Sequence, residues 1–155
     1  MEQERDRIVV GVDGSAGARA AARWALAEAG RRHADVDIVA CWHVPYLAEA
    51  GGYGLLSVTP EDLMAGARQE AEQCLAALAH EQEEARRSGC AVELRAVEGD
   101  AAEALVTEAK DALMLVVGRR GHGAVARVLL GSVGSYVVAH APCPVVVVPP
   151  GAGAT

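Results

Sequence analysis

Two glycine-containing segments carry the residues in this sequence that are best suited to bind a ligand. Residues 118–121, Gly-Arg-Arg-Gly, follow an apolar run that ends at Val117, and a Gly131-Ser132 pair comes ten residues after Gly121. Glycine lets the backbone turn with positive φ and approach a ligand closely. A helix that begins at Ser132 would present unpaired N–H donors, which bind anions and phosphate above all. The alternative is a glycine-rich connection in which Ser132 only caps a helix.

The spacing of these residues excludes two common phosphate-binding motifs. A Walker loop needs a lysine directly before its Ser or Thr, and Lys110, the one lysine in the sequence, lies before the apolar run instead. A dinucleotide fingerprint needs Gly-x-Gly-x-x-Gly, and Gly118, Gly121 and Gly123 are spaced differently. What remains is a Gly-x-x-Gly pair, nine intervening residues and a Gly-Ser pair.

Composition places the chain among small acidic proteins with an aliphatic core. The 155 residues suggest one domain over 1–155, with residues 149–155 as a loose tail. Hydrophobic residues make up 52% of the chain but aromatic residues only 3%, and there is no Phe. A net charge of −7 argues against sequence-independent binding to nucleic acid, which needs a basic surface.

Several further features predict a cytoplasmic protein with no membrane partner. The charged first residues show no secretory signal, and no apolar stretch has the length of a membrane span. The four cysteines have no paired spacing, which argues against a zinc site or a redox pair. Buried free thiols in a reducing compartment fit this pattern best.

Short apolar runs alternate with longer helical patterns along the chain. This alternation predicts a parallel sheet with helices on both faces, an α/β fold. Thr59 and Pro60 are a strong start for the second helix. The predicted strands cover residues 7–12, 35–44, 91–97, 112–117 and 145–148, and the predicted helices cover 16–32, 59–87, 100–110 and 132–140.

The polar signals of the chain lie at the ends of two of these strands. Asp13 ends the first strand and Gly118 ends the fourth. If these strands are neighbours and the winding reverses between them, a crevice opens at their carboxyl ends, where α/β proteins bind ligands. The sequence therefore predicts one ligand site at this edge of the sheet.

The spacing of Gly118, Gly121, Gly131 and Ser132 resembles the ATP-binding motif of the universal stress protein family. The resemblance extends over nearly the whole chain, from residues 8–15 to residues 141–148. It implies an open, Rossmann-like five-stranded parallel sheet in the order 3-2-1-4-5. It also implies an ATP-binding protein that serves stress response or signalling without fast catalysis.

The resemblance further implies a role for each matching position. The strand ends should contact adenine and ribose, Cys41 through its backbone, and the glycine segments should wrap the phosphates. Asp13 could bond the ribose hydroxyls or hold a phosphate-bound Mg²⁺, but it could equally be a turn residue that bonds the N–H two residues on. Arg120 could supply a forked donor to phosphate. The expected nucleotide-binding residues are Gly11, Val12, Asp13, Cys41, Val117, Gly118, Arg120, Gly121, Gly131, Ser132, Val133 and Gly134.

One departure from the family pattern keeps alternative functions open. Gly134 stands where many ATP-binding members carry Ser or Thr, so a hydroxyl that could touch the outer phosphate is missing. The alternatives are a protein that has lost ATP and acts through protein contacts, or one that binds AMP or cyclic AMP. An adenylating enzyme is disfavoured, because residues 13–17 match its pyrophosphate loop poorly. We expect no enzyme activity beyond very slow ATP hydrolysis.

The last predicted strand indicates a homodimer. In the order implied by the resemblance, Val145, Val146, Val147 and Val148 form an edge strand. The unpaired N–H and C=O groups of an edge strand template pairing with another chain. A two-fold dimer with antiparallel pairing of this strand is the simplest closed arrangement.

Overall fold

The computed structural model describes residues 5–44, 57–120 and 129–151. Their strands form one parallel sheet in the order β3-β2-β1-β4-β5, so the predicted fold class and strand order are confirmed. Helices pack on both faces of this sheet. The strands are β1 (Arg7–Val12), β2 (Asp35–Trp42), β3 (Val92–Glu98), β4 (Met114–Gly118) and β5 (Val145–Val148).

The helices follow the predicted pattern with one correction. They are α1 (Ala16–Arg32), α2 (Pro60–Ala76), α3 (Ala79–Arg87), α4 (Ala101–Glu108) and α5 (Ser132–His140). The prediction of one helix over 59–87 was wrong, because the chain leaves helical geometry at Leu78, with φ −116° and ψ 29°. Leu78 is fully buried, and its N–H bonds the Leu75 carbonyl in a tight turn. Leu78 packs in the core at this break, and α3 begins at the next residue, Ala79.

The first face of the sheet carries the larger part of the core. Its strands contribute Ile8, Val10, Ile38 and Val116, each fully buried, and helices α1, α2 and α3 cover them. Helix α1 is rich in alanine on its buried side, which lets its backbone lie close to the strands. The aliphatic core predicted from the composition is thus formed mainly on this face.

The second face is covered by α4 and α5 and leaves room for polar groups. Val9, Leu105, Leu115 and Val137 form its apolar cluster. Toward β2 and β3 the same face carries a charged network, in which Arg95 lies 2.7 Å from Glu108. A cavity opens on this side of the sheet, beside α4 and α5.

None of the helices within the described ranges is long and apolar enough to cross a membrane. All four cysteines are free thiols, with Cys74 and Cys90 buried and Cys41 and Cys143 partly buried. Burial raises the pKa of each of these thiols. They therefore behave as small apolar side chains at neutral pH.

Candidate functional site

The site lies where the winding of the sheet reverses. Helix α1 follows β1 onto the first face, whereas α5 follows β4 onto the second face. Strands β1 and β4 are neighbours in the sheet. The chain therefore leaves their carboxyl ends toward opposite faces of the sheet, and a crevice forms between the two departing segments. A cavity of about 540 Å³ opens at this point.

The cavity brings together the residues that the sequence predicted for one site. All of them line it except Gly121, which lies outside the described residues together with the rest of 121–128. Other residues also line it that the sequence reasoning did not assign: Ser15, Ala18, Val39, Ala101, Leu105, Arg119, Leu130 and Ser135.

The start of α5 provides the donors of the site. Gly131 is its N-cap, with an extended backbone at φ −65° and ψ 170°, and no side chain caps the helix among the described residues. The first intrahelical bond runs from the Ser135 N–H to the Gly131 carbonyl at 2.9 Å. The N–H groups of Ser132, Val133 and Gly134 therefore precede the helical ladder and have no acceptor within it. Such a helix start favours a negatively charged ligand.

The start of α1, on the opposite rim, is closed by its own side chains. The Ser15 hydroxyl accepts a hydrogen bond from the Ala18 N–H at 3.1 Å, as an N-cap does. The Asp13 carboxylate accepts one from the Ser15 N–H at 3.0 Å. Asp13 thus makes the turn contact that the sequence offered as its structural role, and this contact holds the carboxylate at the rim of the cavity.

Two glycines at the base of the cavity are required by packing. A Cβ atom on Gly118 would lie 2.7 Å from the Gly17 carbonyl group, and a Cβ on Gly17 would collide with the Arg120 carbonyl oxygen. The end of β4 therefore presses directly on the first turn of α1. The sequence predicted a phosphate-binding role for Gly118 but did not predict its contact with Gly17. Gly17 lies in the first turn of a helix, and nothing in the local sequence marks it as a packing position.

The deeper part of the cavity is apolar. Val39, Cys41 and Val117 contribute from the strands, and Leu105 contributes from α4. A Cβ on Gly11 would lie 2.6 Å from Leu105 Cδ1, so the lack of a side chain at Gly11 leaves the space that Leu105 occupies. Burial raises the pKa of Cys41 to about 11, with smaller contributions from the negative charges of Glu108 and Asp100. Its thiol is neutral at physiological pH and acts as part of an apolar wall.

Comparisons with known proteins agree with this architecture. The model of the universal stress protein family matches residues 4–149. The chain belongs to the universal stress protein family. A universal stress protein of Mycolicibacterium smegmatis is 36% identical over 149 residues, an alignment that covers 91% of this chain and 47% of the relative. The chain spans about half the length of the curated relatives it matches.

Solved structures of family members share the fold over nearly the whole chain. Universal stress protein UspA from Lactobacillus plantarum is 26% identical with a TM-score of 0.68, and the match covers 95% of this chain and 99% of that one. A universal stress protein in complex with cAMP is also 26% identical, with a TM-score of 0.61 and coverage of 96% and 99%.

The structure gives a physical account of the family departure at Gly134. A Cβ atom on this residue would lie 2.6 Å from Leu130 Cδ1. Leu130 therefore occupies the space next to Gly134 that a larger residue would need, and it also lines the cavity. The sequence identified the missing hydroxyl but not the side chain packed against that position, because Leu130 lies at the end of a segment without clear periodicity.

The cavity lining includes few titratable side chains. Among the described residues that line it there is no lysine or histidine, and Asp13 is the one carboxylate. Within the described parts of the chain, no group of three or more His, Cys, Asp or Glu residues could hold a metal ion. The arrangement joins an apolar recess to a set of backbone donors and two arginine side chains, Arg119 and Arg120.

Proposed function

We propose that this family member binds an adenine nucleotide in the cavity between β1 and β4 and serves stress response or signalling without fast catalysis. The observation that carries the proposal is the uncapped start of α5 at the mouth of an apolar recess. A nucleotide combines the same two features, an apolar base and an anionic phosphate group. The family member of 26% identity in complex with cAMP supports this class of ligand.

The lining of the cavity suggests how each part of the nucleotide would be held. The base would lie in the apolar recess formed by Val39, Cys41 and Leu105. The phosphates would accept hydrogen bonds from the N–H groups of Ser132 and Val133. Gly11, Val12 and Val117 would flank the ligand from the strand ends. Arg120, Gly131 and Gly134 complete the described part of the phosphate site, and Gly121 stays a prediction from the motif.

The proposed ligand is ATP, with Mg²⁺ as an additional component of the bound nucleotide. Magnesium that binds phosphates needs only one or two protein carboxylates. Asp13 is the carboxylate on the rim that would serve it, or it would bond the ribose hydroxyls. The competing candidate is a protein that binds AMP or cyclic AMP, or that has lost nucleotide binding. The contact between Gly134 and Leu130 favours this second candidate, because the Leu130 side chain would have to shift to admit a hydroxyl-bearing residue at that position.

The same lining argues against rapid phosphoryl transfer. Phosphoryl transfer depends on cations and positioned groups that stabilise the moving phosphoryl group. The cavity-lining residues that the structure describes include neither a lysine nor a histidine base. A magnesium-dependent ATPase rate of about 1 s⁻¹ or more, in the range of ordinary kinases, would contradict the proposal if it followed the purified protein.

Mass spectrometry of small molecules released from the purified protein is the first test. Isothermal titration with ATP, ADP, AMP, cyclic AMP and adenosine then ranks the candidates. We expect an adenine nucleotide to be released or to bind, with ATP preferred under the first candidate and AMP or cyclic AMP under the second. A protein that retains no nucleotide and binds none of these ligands would refute the proposal.

We also propose a homodimer through β5, which is an edge strand of the sheet that the described residues form and pairs within that sheet with β4 alone. The N–H of Leu115 in β4 donates to the Pro144 carbonyl, and the N–H of Arg119, directly after β4, donates to the Val148 carbonyl. Since backbone groups alternate along a strand, Val146 also faces β4, and the N–H and C=O groups of Val145 and Val147 face the free edge. These free groups would pair with a second copy, across an interface formed by residues 145–148.

The direction of these groups allows a selective test of the dimer. Val147→Pro removes an outward donor and leaves the bonds to β4 in place, whereas Val146→Pro breaks the internal ladder. Sedimentation equilibrium should give twice the chain mass for the wild type and the chain mass for Val147→Pro. A wild type that stays monomeric at about tens of micromolar, a concentration at which an edge-paired interface of ordinary size should form, would contradict the dimer.

A further inference from the structure

The backbone of Arg119 joins three parts of the site. Its N–H donates to the Val148 carbonyl at the end of β5, at 2.9 Å. Its carbonyl accepts from the N–H of Gly131, the N-cap of α5, also at 2.9 Å. The preceding residue, Gly118, is pressed against Gly17 of α1. The position of the Arg119 backbone is therefore determined from both sides before any ligand arrives.

The side chain of Arg119 has an unused donor. Its Nε atom is buried and has no hydrogen-bond partner among the described residues. None of the ion pairs between residues that the structure describes includes Arg119. A buried donor without a partner is costly, and more so in a charged group. Arg119 lines the cavity, and a bound ligand that supplies the missing acceptor would explain this unpaired atom.

The residues that line the cavity thus carry two independent sets of donors. The backbone carbonyl of Arg119 accepts a hydrogen bond from Gly131, the N-cap of α5. One set of donors is the uncapped N–H groups at the start of this helix, and the other is the guanidinium of Arg119. Both line the same cavity. A guanidinium offers its Nε–H and a terminal N–H side by side, a geometry that matches the oxygens of a phosphoryl group.

We infer that Arg119 is a specificity-determining residue that recognises the phosphoryl group of the ligand. The inference rests on the proposed function and deepens it, because it adds a named side chain to the backbone donors that select nucleotide over nucleoside. Its backbone is held in place in advance, so little ordering is needed when the ligand binds. Arg119 thereby makes an anionic group a requirement for tight binding, while the apolar recess holds the base.

The test compares ligands that differ in their phosphoryl groups. Isothermal titration of nucleotide-free protein with adenosine, AMP, ATP and inorganic pyrophosphate is carried out on the wild type and on Arg119→Gln. We expect affinity for AMP and ATP to fall about tenfold or more, as for a hydrogen bond to a charged group. Affinity for adenosine should stay within about twofold, because the base contacts do not involve this side chain.

Two further variants separate recognition from structural effects. Arg87→Gln is the matched control, since it makes the same change on the exposed face of α3. It should leave all affinities unchanged. Arg119→Lys keeps the charge but has no Nε, so we expect AMP affinity between those of the wild type and Arg119→Gln. It also keeps the test available if Arg119→Gln does not fold, as judged by circular dichroism and the melting temperature.

The outcomes distinguish this inference from the proposed function. An equal loss for adenosine and AMP, or no loss for AMP, would overturn the inference and leave nucleotide binding intact. If the wild type binds pyrophosphate but no adenine compound, the proposed function fails, and a loss of pyrophosphate affinity in Arg119→Gln upholds the inference. If the wild type binds none of the probes, both fail.

Discussion

The two helices that begin at the carboxyl edge of the sheet start in opposite ways. Helix α1 begins at Ser15, whose hydroxyl accepts from the Ala18 N–H, and Asp13 accepts from the Ser15 N–H. Helix α5 begins at Gly131, which has no side chain to offer. Residues of both helix starts line the same cavity. The difference in free N–H donors between the two helices therefore comes from the capping residues and not from where the helices begin.

The comparison shows which of the two helix starts is available to a ligand. At α1 the side chains of the chain itself occupy donors that a helix start would otherwise expose. At α5 the glycine cap leaves the donors of Ser132, Val133 and Gly134 without an acceptor in the helix. Under the proposed function, the absence of a capping side chain at α5 specifies the anion site, and the closed start of α1 beside it positions Asp13.

The largest effect should come from closing the open end. Gly131→Asp places a carboxylate at the N-cap, in a backbone conformation that any residue adopts. It should satisfy the donors and repel phosphate, so nucleotide affinity should fall by about 100-fold or more, since several hydrogen bonds to a charged group are lost. Isothermal titration gives the affinity.

Stability provides the control for this change. By urea unfolding without ligand, the Asp cap should make the folded state more stable than the Gly cap by about a few tenths of a kcal/mol, and more stable than an Ala cap by about 0.5–2 kcal/mol. Gly131→Ala adds a Cβ atom without a cap and should affect affinity much less. Equal losses for the Ala and Asp variants would indicate a steric effect and contradict the view that the ligand replaces a cap.

The next effect concerns the contact between the end of β4 and the first turn of α1. Gly118→Ala would force a Cβ atom to within 2.7 Å of the Gly17 carbonyl group, which is backbone and cannot rotate away. We expect a loss of about 1–3 kcal/mol in the free energy of unfolding, as for overpacking in a close-packed region. Urea unfolding measures this loss.

Gly66→Ala in the middle of α2 is the matched control, since nothing lies within 4 Å of its Cβ position. It should raise stability by up to about 1 kcal/mol, because alanine is the better helix former. If Gly118→Ala keeps full stability and loses only affinity, Gly118 serves the ligand and not the packing.

Gly118 also shows how far the sequence could predict this site. The sequence predicted that Gly118, Gly131 and Ser132 lie together at the reversal of winding, and in the structure these three residues line one cavity there. The contact with Gly17 could not be predicted, since it depends on how closely two segments from distant parts of the sequence approach. For the same reason the sequence did not reveal Leu105, which reaches the cavity from α4.

The elements themselves were largely predictable, because each has a clear local pattern. The buried strands are short runs of Val, Ile and Leu, and the start of α2 has a capping box between Thr59 and Asp62. The break at Leu78 was missed, because Ala77 and Leu78 are good helix formers. Only the core decides that Leu78 must turn inward, and this is a tertiary effect on a locally helical sequence.

Removing the cap of α1 should affect stability and not binding. Ser15→Ala loses the hydrogen bond to the Ala18 N–H and should cost about 1 kcal/mol in the free energy of unfolding. Ser132→Ala is the matched change at α5, where the serine follows the cap and its side chain is exposed. It should leave stability unchanged and weaken nucleotide binding by about fivefold, the value of one hydrogen bond. The reverse assignment of the two effects would contradict the comparison.

The smallest expected effect is a change in the alkylation rate of Cys41, which should report whether a ligand occupies the apolar recess of the cavity. The reactive form of a cysteine is the thiolate, and burial raises the pKa of Cys41 to about 11. Alkylation by iodoacetamide should therefore be slow at pH 8 and rise about tenfold per pH unit toward pH 10, in proportion to the thiolate population. At fixed pH, a nucleotide at a concentration equal to its Kd should slow the reaction about twofold, since half of the protein is then occupied.

Cys143 is the matched control, because it is also partly buried with a raised pKa but lies outside the residues that line the cavity. Peptide mass spectrometry measures both sites in one sample. Equal protection of the two thiols would indicate a general tightening of the protein, and no protection of Cys41 by a nucleotide that binds would place the base elsewhere than in the apolar recess.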